Sequence, residues 1–259
     1  MGTPVANVVA SAEACPAVVL SVVIPAYNEA ERLPPFLRTV RQYGQRELQD
    51  HFEVVVVDDG SSDRLDEAAD MTADNVRLIR HAANQGKGAA VRSGVAVARG
   101  EYILFADADG STPIEEEQRL RQALQAGADV AVGSRRLASD DVVRNRRPLR
   151  EWAGSAFARL ATSLLGLPVS DPQCGFKMFR RAAANRLFTE LEETGYYFDL
   201  ELLLRAETRG YRIEEIAIHW AEKPGSRLRF SRELVRMMGA LARLRRLKTK
   251  LRGGADETT

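Results

Sequence analysis

Glu101-Tyr102-Ile103-Leu104-Phe105-Ala106-Asp107-Ala108-Asp109-Gly110-Ser111-Thr112-Pro113 is a short apolar run that ends in two carboxylates one residue apart. Residues Tyr102 to Ala106 are apolar, aromatic and β-branched, with Gly100 before them and a Gly-Ser-Thr-Pro turn after the aspartates. That pattern predicts a buried strand. Side chains on an extended segment alternate faces, so Asp107 and Asp109 converge where the strand runs out while Ala108 turns inward. Two carboxylates so placed repel each other unless a cation lies between them. A hard divalent ion with oxygen ligands, Mg2+ or Mn2+, suits the position and brings phosphate groups as further ligands. Taken alone, the pair reads more simply as two solvated turn aspartates, because Asp is common in turns.

Working outward, three earlier strands end in polar loops of the same kind. Val18 to Ile24 is a β-branched run of the sort buried on both faces of a parallel sheet, and it stops at Pro25-Ala26-Tyr27-Asn28-Glu29. Helical spacing of Leu33, Phe36, Leu37 and Val40 follows, over Glu31 to Gln45. A second strand, Phe52 to Val57, stops at Asp58-Asp59-Gly60-Ser61-Ser62-Asp63, where Ser62 or Asp63 can cap a helix. A third, Val76 to Arg80, leads through Asn84-Gln85-Gly86-Lys87-Gly88 into a helix from Ala89 to Ala98. After the aspartates come a helix over Ile114 to Gln125 and a strand over Ala128 to Gly133. This alternation predicts parallel βαβ units with right-handed crossovers, whose ligands bind beyond the carboxyl ends of the strands. One shared site accounts for all four loops.

Beyond Gly133 the alternation loosens. The sequence predicts a helix from about Arg150 to Leu165, a bent strand over Asp171 to Phe179, a helix at Phe198 to Thr208 and a strand at Arg212 to Trp220. A final basic helix covers 231–252. Residues 1–16 read as a flexible extension, 17–230 as one α/β domain and 253–259 as a disordered tail.

With 259 residues, 45% of them apolar and 28% charged, the chain has an ordinary globular composition. Its formal net charge of +1 says little about partners, although Arg135, Arg136, Arg144, Arg146, Arg147 and Arg150 crowd one stretch; no nucleic-acid partner is expected. Cys15 and Cys174 are too few and too far apart for a disulfide framework or a zinc site. Asn7, Glu13 and Pro16 interrupt the apolar N-terminal segment, which reads as neither a signal peptide nor a spanning helix.

The five motifs Ser-Val-Val-Ile-Pro-Ala-Tyr-Asn-Glu, Val-Val-Asp-Asp-Gly-Ser-Ser-Asp, Asn-Gln-Gly-Lys-Gly, Asp-Ala-Asp-Gly and Gly-Ser-Arg, in this order, resemble the family 2 glycosyltransferases. That resemblance implies the GT-A fold, a Rossmann-like, mostly parallel sheet flanked by helices. Asp171 to Phe179, Tyr197-Phe198-Asp199-Leu200-Glu201, Trp220 and Gly225-Ser226-Arg227 resemble the dolichyl-phosphate β-glucosyltransferases and other polyprenyl-phosphate glycosyltransferases more than the mannose synthases. The resemblance implies an inverting, metal-dependent enzyme that moves a hexose, glucose from UDP-glucose, onto a polyprenyl phosphate at the cytoplasmic membrane face. Eukaryotic members carry an N-terminal spanning helix that this sequence does not offer. Where mannose synthases place a third metal-shell residue two positions after the second aspartate, this chain has Ser111, a weaker ligand.

Roles follow from the resemblance, position by position. Asp107 and Asp109 would hold Mg2+ or Mn2+, and Asp109 acts in catalysis by neutralising charge on the leaving nucleotide. Asp59 would accept the uracil imide N–H and Tyr27 cover the base, with Pro25, Glu29 and Lys87 in the same nucleotide-sugar pocket. Packing for Tyr27, a helix N-terminal acid for Glu29 and a solvated loop lysine for Lys87 remain open readings. The acceptor phosphate is already anionic and needs holding more than deprotonating. Arg135 and Arg150 fit that role, assisted by Arg227. Gln173, Lys177, Asp199 and Glu201 fall where donor or acceptor contacts are expected, the two acids where relatives with hydroxyl acceptors keep a base; with a phosphate acceptor the acids serve instead only to orient Arg or Lys side chains. His51, His81 and His219 read as structural or surface residues.

On a helical wheel, Leu234, Met237, Met238, Leu241 and Leu244 form one stripe of the last helix and Arg232, Arg236, Arg243, Arg246 and Lys250 another face. This basic amphipathic helix either lies on an anionic membrane surface or packs on the body of the enzyme or a second subunit. Two other functions stay open at this point: a transferase whose acceptor is a saccharide or other hydroxyl, and a non-catalytic nucleotide-sugar-binding protein. Homo-oligomerisation is likewise open.

Overall fold

The structure, a computed structural model, describes residues 18–49, 51–68, 71–137, 144–145, 158–221, 223 and 230–253. The expected extension 1–16, Arg150 and Arg227 lie outside the described residues, as do residues 254–259.

Four parallel strands carry the motif loops: β1 (Leu20–Ala26), β2 (Phe52–Asp58), β3 (Val76–Arg80) and β4 (Tyr102–Ala106). They join β5 (Val130–Ser134), β7 (Phe176–Arg180) and β8 (Ile213–Ala217) in one sheet of order β3-β2-β1-β4-β7-β5-β8. A separate parallel pair couples β6 (Arg144–Asn145) to β9 (Trp220–Ala221). The strand expected over Arg212 to Trp220 is thus two strands. The bent strand expected from Asp171 begins only at Phe176.

The strand–helix alternation leads to parallel pairing, and β7 departs from it: it runs antiparallel to both β4 and β5. Its reversed direction brings the loop before it, 171–175, to the edge where β4 and β5 end.

Alternation along each strand builds two cores. Val23, Val55, Val57, Ile103 and Phe105 face one layer, and Val22, Ile24, Val54, Val56 and Leu104 the other. On the second side lies α1 (Leu33–Glu47), which buries Leu33, Phe36, Leu37, Val40 and Tyr43. It starts later than the apolar pattern suggests because Pro34 and Pro35 lack an N–H and are tolerated only in a first turn. The short α2 (Leu65–Ala68) follows β2, and a 3-10 turn at Ile114–Glu116 precedes α4 (Glu117–Gln125).

The first side is covered by α3 (Lys87–Val97), helical residues 158–165 (α5), α6 (Arg181–Thr189) and α7 (Phe198–Thr208). The sequence reading assigns nothing to α6, although its buried Ala183, Ala184, Leu187 and Phe188 follow helical spacing.

The last helix, α8 (Phe230–Gly253), joins the same core. Ala240, Leu241 and Leu244 are buried and Met237 and Leu247 partly so. Of the two expectations for this stripe, packing is the one its described residues realise. Met238, expected in the stripe, is exposed. Among the described residues no helix is long and apolar enough to cross a membrane.

Candidate active site

The carboxyl ends of β1, β2 and β4 bring their loops together with the start of α3, as the parallel topology requires. Hydrogen bonds stitch the first two loops. Asn28, at φ 56°, donates its N–H to Ser61 Oγ at 2.9 Å and accepts from Ser62 N at 2.9 Å, while Ala30 N donates to Asp63 Oδ2 at 2.8 Å. Asp58 is fully buried, accepting from Ser61 N and Arg80 Nε, each at 2.8 Å. Burial pushes its pKa up, but Ser61 and Arg80 outweigh that and hold it below the usual carboxylate range. Asp58 therefore supports the loop.

Asp59 ties the second loop to the third. Its Oδ1 accepts from Gln85 N at 2.9 Å and lies 2.7 Å from His81 Nδ1, and its Oδ2 accepts from Gly86 N at 2.8 Å. Three of about four acceptor positions are thus filled, leaving one lone pair on Oδ2 for a ligand N–H. His81, whose Nε2 lies 2.9 Å from Ser93 Oγ, is the residue behind the Asp59 carboxylate. Its local sequence gives no signal, because its partners sit 22 and 12 residues away.

Gly86 has φ 105°, and a Cβ there would meet Thr194 O at 2.4 Å, so only glycine permits the turn that delivers Lys87. Lys87 Nζ lies 2.7 Å from Asp107 Oδ1 and over the rings of Phe105 (5.1 Å) and Tyr196 (5.4 Å). Burial opposes its charge, yet Asp107 holds its pKa above the ordinary lysine value. Lys87 is thus partly buried and ion-paired, with 23% of its side chain exposed.

At the tip of β4, Asp107 N donates to Gly175 O at 2.9 Å, and a Cβ on Gly175 would lie 1.8 Å from Asp107 Oδ2. The bare glycine makes room for the carboxylate. Asp109 Oδ1 accepts from Ser111 N at 2.9 Å, and its Oδ2 lies 3.9 Å from Arg32 Nη1. Arg32 forks onto Glu29, its Nε 2.6 Å from Oε2 and its Nη2 in contact with Oε1. Burial raises the Glu29 pKa; Arg32 opposes this, and the Asp109 and Asp107 charges add to it. Three carboxylates therefore feel one another's fields at this edge. Two of them, at 39% (Asp107) and 28% (Asp109) side-chain exposure, remain open to solvent.

Among the described residues no group of three or more His, Cys, Asp or Glu side chains forms a metal cage. Two oxygen donors on alternate residues still fit Mg2+ or Mn2+, whose remaining positions water and substrate phosphates fill.

Across Gly175 lies the second half of the site. Arg135 clamps Asp171 bidentately, Nε–Oδ2 2.7 Å and Nη2–Oδ1 2.8 Å, and adds its backbone N–H at 2.9 Å. Its guanidinium lies 5.6 Å from the Trp220 ring centroid. Burial alone would raise the Asp171 pKa, but Arg135 draws it down to about 2. Asp171, not flagged as a site residue from sequence, is what orients the arginine.

Several expected contacts fall differently. Lys177 is fully buried, its Nζ 2.6 Å from Asp199 Oδ1 and 2.5 Å from Cys174 O, so neither it nor Asp199, 2% exposed, reaches a ligand. Glu201 accepts from Glu192 N, Glu193 N and Arg205 Nε at 2.9, 2.8 and 2.7 Å and is structural. Pro25 is buried within β1, in register with Val57, one residue before the strand ends. Tyr27 is 48% exposed, so half of its side chain packs on the protein and half faces solvent, and both of its readings stay open. His219, read as structural, pairs with Glu116 at 2.6 Å and ties β8 to the turn after Asp109.

Comparison with known proteins agrees with this architecture. Dolichyl-phosphate beta-glucosyltransferase of Drosophila melanogaster is 37% identical over 233 residues, covering 84% of this chain and 72% of the relative. The Homo sapiens enzyme of that name is 38% identical over 81% of this chain and 69% of its own length, and the Saccharomyces cerevisiae one 34% over 87% and 74%. Among solved structures, glucosyl-3-phosphoglycerate synthase from Mycobacterium tuberculosis, in complex with Mn2+, UDP and phosphoglyceric acid, matches with a TM-score of 0.64. At 22% identity over 89% of this chain and 78% of that one, it shows the shared GT-A fold. The model of glycosyl transferase family 2 matches residues 21–188, which takes in every loop of the cleft just described, and the chain belongs to that family as a hexosyltransferase.

Proposed function

We propose that the protein transfers glucose from UDP-glucose to the phosphate of a polyprenyl or dolichyl phosphate, with inversion, at the cytoplasmic face of a membrane. The observation that carries the choice of acceptor is the commitment of Asp199 and Glu201 to buried ion pairs. A hydroxyl nucleophile needs a carboxylate free to take its proton. Both acids that the sequence offers for that task are consumed, which favours a nucleophile that is already an anion.

Asp59 and Tyr27 are placed to read and cover the uracil. Lys87 and Arg32 supply positive charge beside the diphosphate. Asp107 and Asp109 would hold Mg2+ or Mn2+, which when bound neutralises charge on the leaving nucleotide. Arg135, kept rigid by Asp171 and Trp220, presents a fork to the acceptor phosphate on the far side of the sugar, and Arg150 and Arg227 are assigned to the same task from sequence. One in-line attack on an α-linked donor gives a β-linked product. The exposed Arg245, Arg246 and Lys250 of α8 suit contact with an anionic membrane surface.

The test supplies radiolabelled UDP-glucose with a polyprenyl phosphate or with the matching polyprenol. Label entering the organic phase as lipid phosphate sugar only with the phosphate supports the reading. Equal transfer to the alcohol, or to an added saccharide, sinks it.

A further inference from the structure

Gln173 lies in the loop Asp171-Pro172-Gln173-Cys174-Gly175, which is clamped at both ends. Asp171 is buried under Arg135 and takes part in a turn closed by Cys174 N donating to Asp171 O at 3.2 Å. Upstream, Ser170 N and Asp171 N both donate to Glu215 at 2.9 Å. At the other end Gly175 abuts the Asp107 carboxylate. Between those clamps the Gln173 amide nitrogen is buried and, among the described residues, has no hydrogen-bond partner.

A buried N–H2 group without an acceptor costs folding free energy, and a leucine of similar volume would carry no such cost. An acceptor that arrives with a ligand resolves the conflict. Phosphate oxygens at this edge already have Lys87, Arg32 and Arg135 nearby, so charge recognition is provided for. A neutral amide is matched to a neutral hydroxyl, and the group held beside Asp107 that carries hydroxyls is the hexose of the donor.

We propose that Gln173 is a specificity-determining residue whose amide nitrogen donates to one hydroxyl of the transferred sugar. This rests on the glycosyltransferase reading above. A site that hydrogen-bonds a substrate hydroxyl discriminates strongly against a sugar lacking it there, because the amide is then left unpaired again.

Gln173→Leu and Gln173→Glu test it through three readouts: thermal unfolding without ligand, calorimetric binding of UDP alone, and kcat/KM for UDP-glucose against UDP-galactose. The leucine variant is expected to unfold at the same or a higher temperature and to bind UDP unchanged. It should lose on the order of 10-fold or more in kcat/KM for the preferred sugar, and its preference between the two epimers should shrink. Gln173→Glu, which removes the donor and adds a charge, should lose the preference as well.

A lower unfolding temperature for Gln173→Leu would mean the amide is already satisfied inside the protein and would overturn the proposal. An equal loss for UDP and UDP-sugar would assign the residue to the nucleotide, and unchanged epimer preference would remove it from specificity. If the wild-type protein turned over no nucleotide sugar, the transferase reading itself would fall, and this assignment with it. A wild type that discriminates between epimers and a variant that discriminates equally would defeat the assignment alone.

Discussion

The two halves of the cleft are built in opposite ways. On the β1–β2–β4 side Asp59 and Asp109 are held mainly by backbone N–H groups, Asp59 by those of Gln85 and Gly86 and Asp109 by that of Ser111, while Asp58, Asp107 and Glu29 pair with Arg80, Lys87 and Arg32. On the β5–β7 side the work is done by buried side-chain ion pairs, Arg135 with Asp171 and Lys177 with Asp199. Backbone-held carboxylates keep their free edges turned to a ligand. Ion-paired ones spend theirs on fixing a cation or the core. The first half is thus expected to be sensitive in chemistry and tolerant in stability, and the second the reverse.

Asp109→Asn gives the sharpest test, because it removes one charge from the donor side with little change in shape. Transfer should fall by roughly 10²–10³-fold or more, the usual scale for losing a key electrostatic group, with an unchanged melting temperature. A variant that unfolds instead would erase the distinction between the halves.

Lys177→Met probes the other side. Stranding Asp199 without its partner in the core should destabilise the fold by about 3–5 kcal/mol in denaturant titration. The double variant Lys177→Met with Asp199→Leu should recover much of that loss. Full stability of the single variant would show that the pair is not a structural element.

The acid limb of stability sharpens the comparison further. The Asp171 carboxyl titrates at about 2 when folded, against about 3.9 in an unfolded chain. A carboxyl with a depressed folded pKa adds stability that is complete above about pH 4 and disappears as pH falls toward 2. Asp171→Asn should therefore flatten the loss of stability across that window. An identical acid limb in wild type and variant would contradict the Arg135 clamp.

The smallest effect belongs to Tyr27→Ala. An exposed ring that covers a base contributes about 0.5–1.5 kcal/mol, so donor affinity should weaken about 2- to 12-fold, with kcat preserved. A loss confined to kcat would place the ring at the chemistry and not at the base.

The same contrast explains what could be read in the sequence. That Asp107, Asp109, Asp59 and Lys87 gather at one edge was legible because a parallel strand delivers whatever follows it there, so position in the chain stood for position in space. Asp171 and His81 were not, since their partners are 36 and 22 residues away and no periodicity announces them. Lys177 carried a misleading signal, since it lies in a motif of the cleft and topology turns it into the core, whereas Asp199 and Glu201 orient Lys177 and Arg205, one of the two tasks read for them. The reversal of β7 was equally hidden, because an antiparallel strand and a parallel one share the same apolar pattern.

That reversed strand also carries its own alignment key. Along β7, Phe176 and Met178 enter one core and Phe179 the other, while Lys177 points away from Met178 toward Asp199 on α7. Sliding β7 by a single residue between β4 and β5 would exchange its faces and drive an ammonium group among aliphatic side chains. Such a misthreaded sheet would bear a penalty of several kcal/mol. The ammonium group sealed inside β7 thereby selects this alignment, and it is this alignment that sets Gly175 against Asp107.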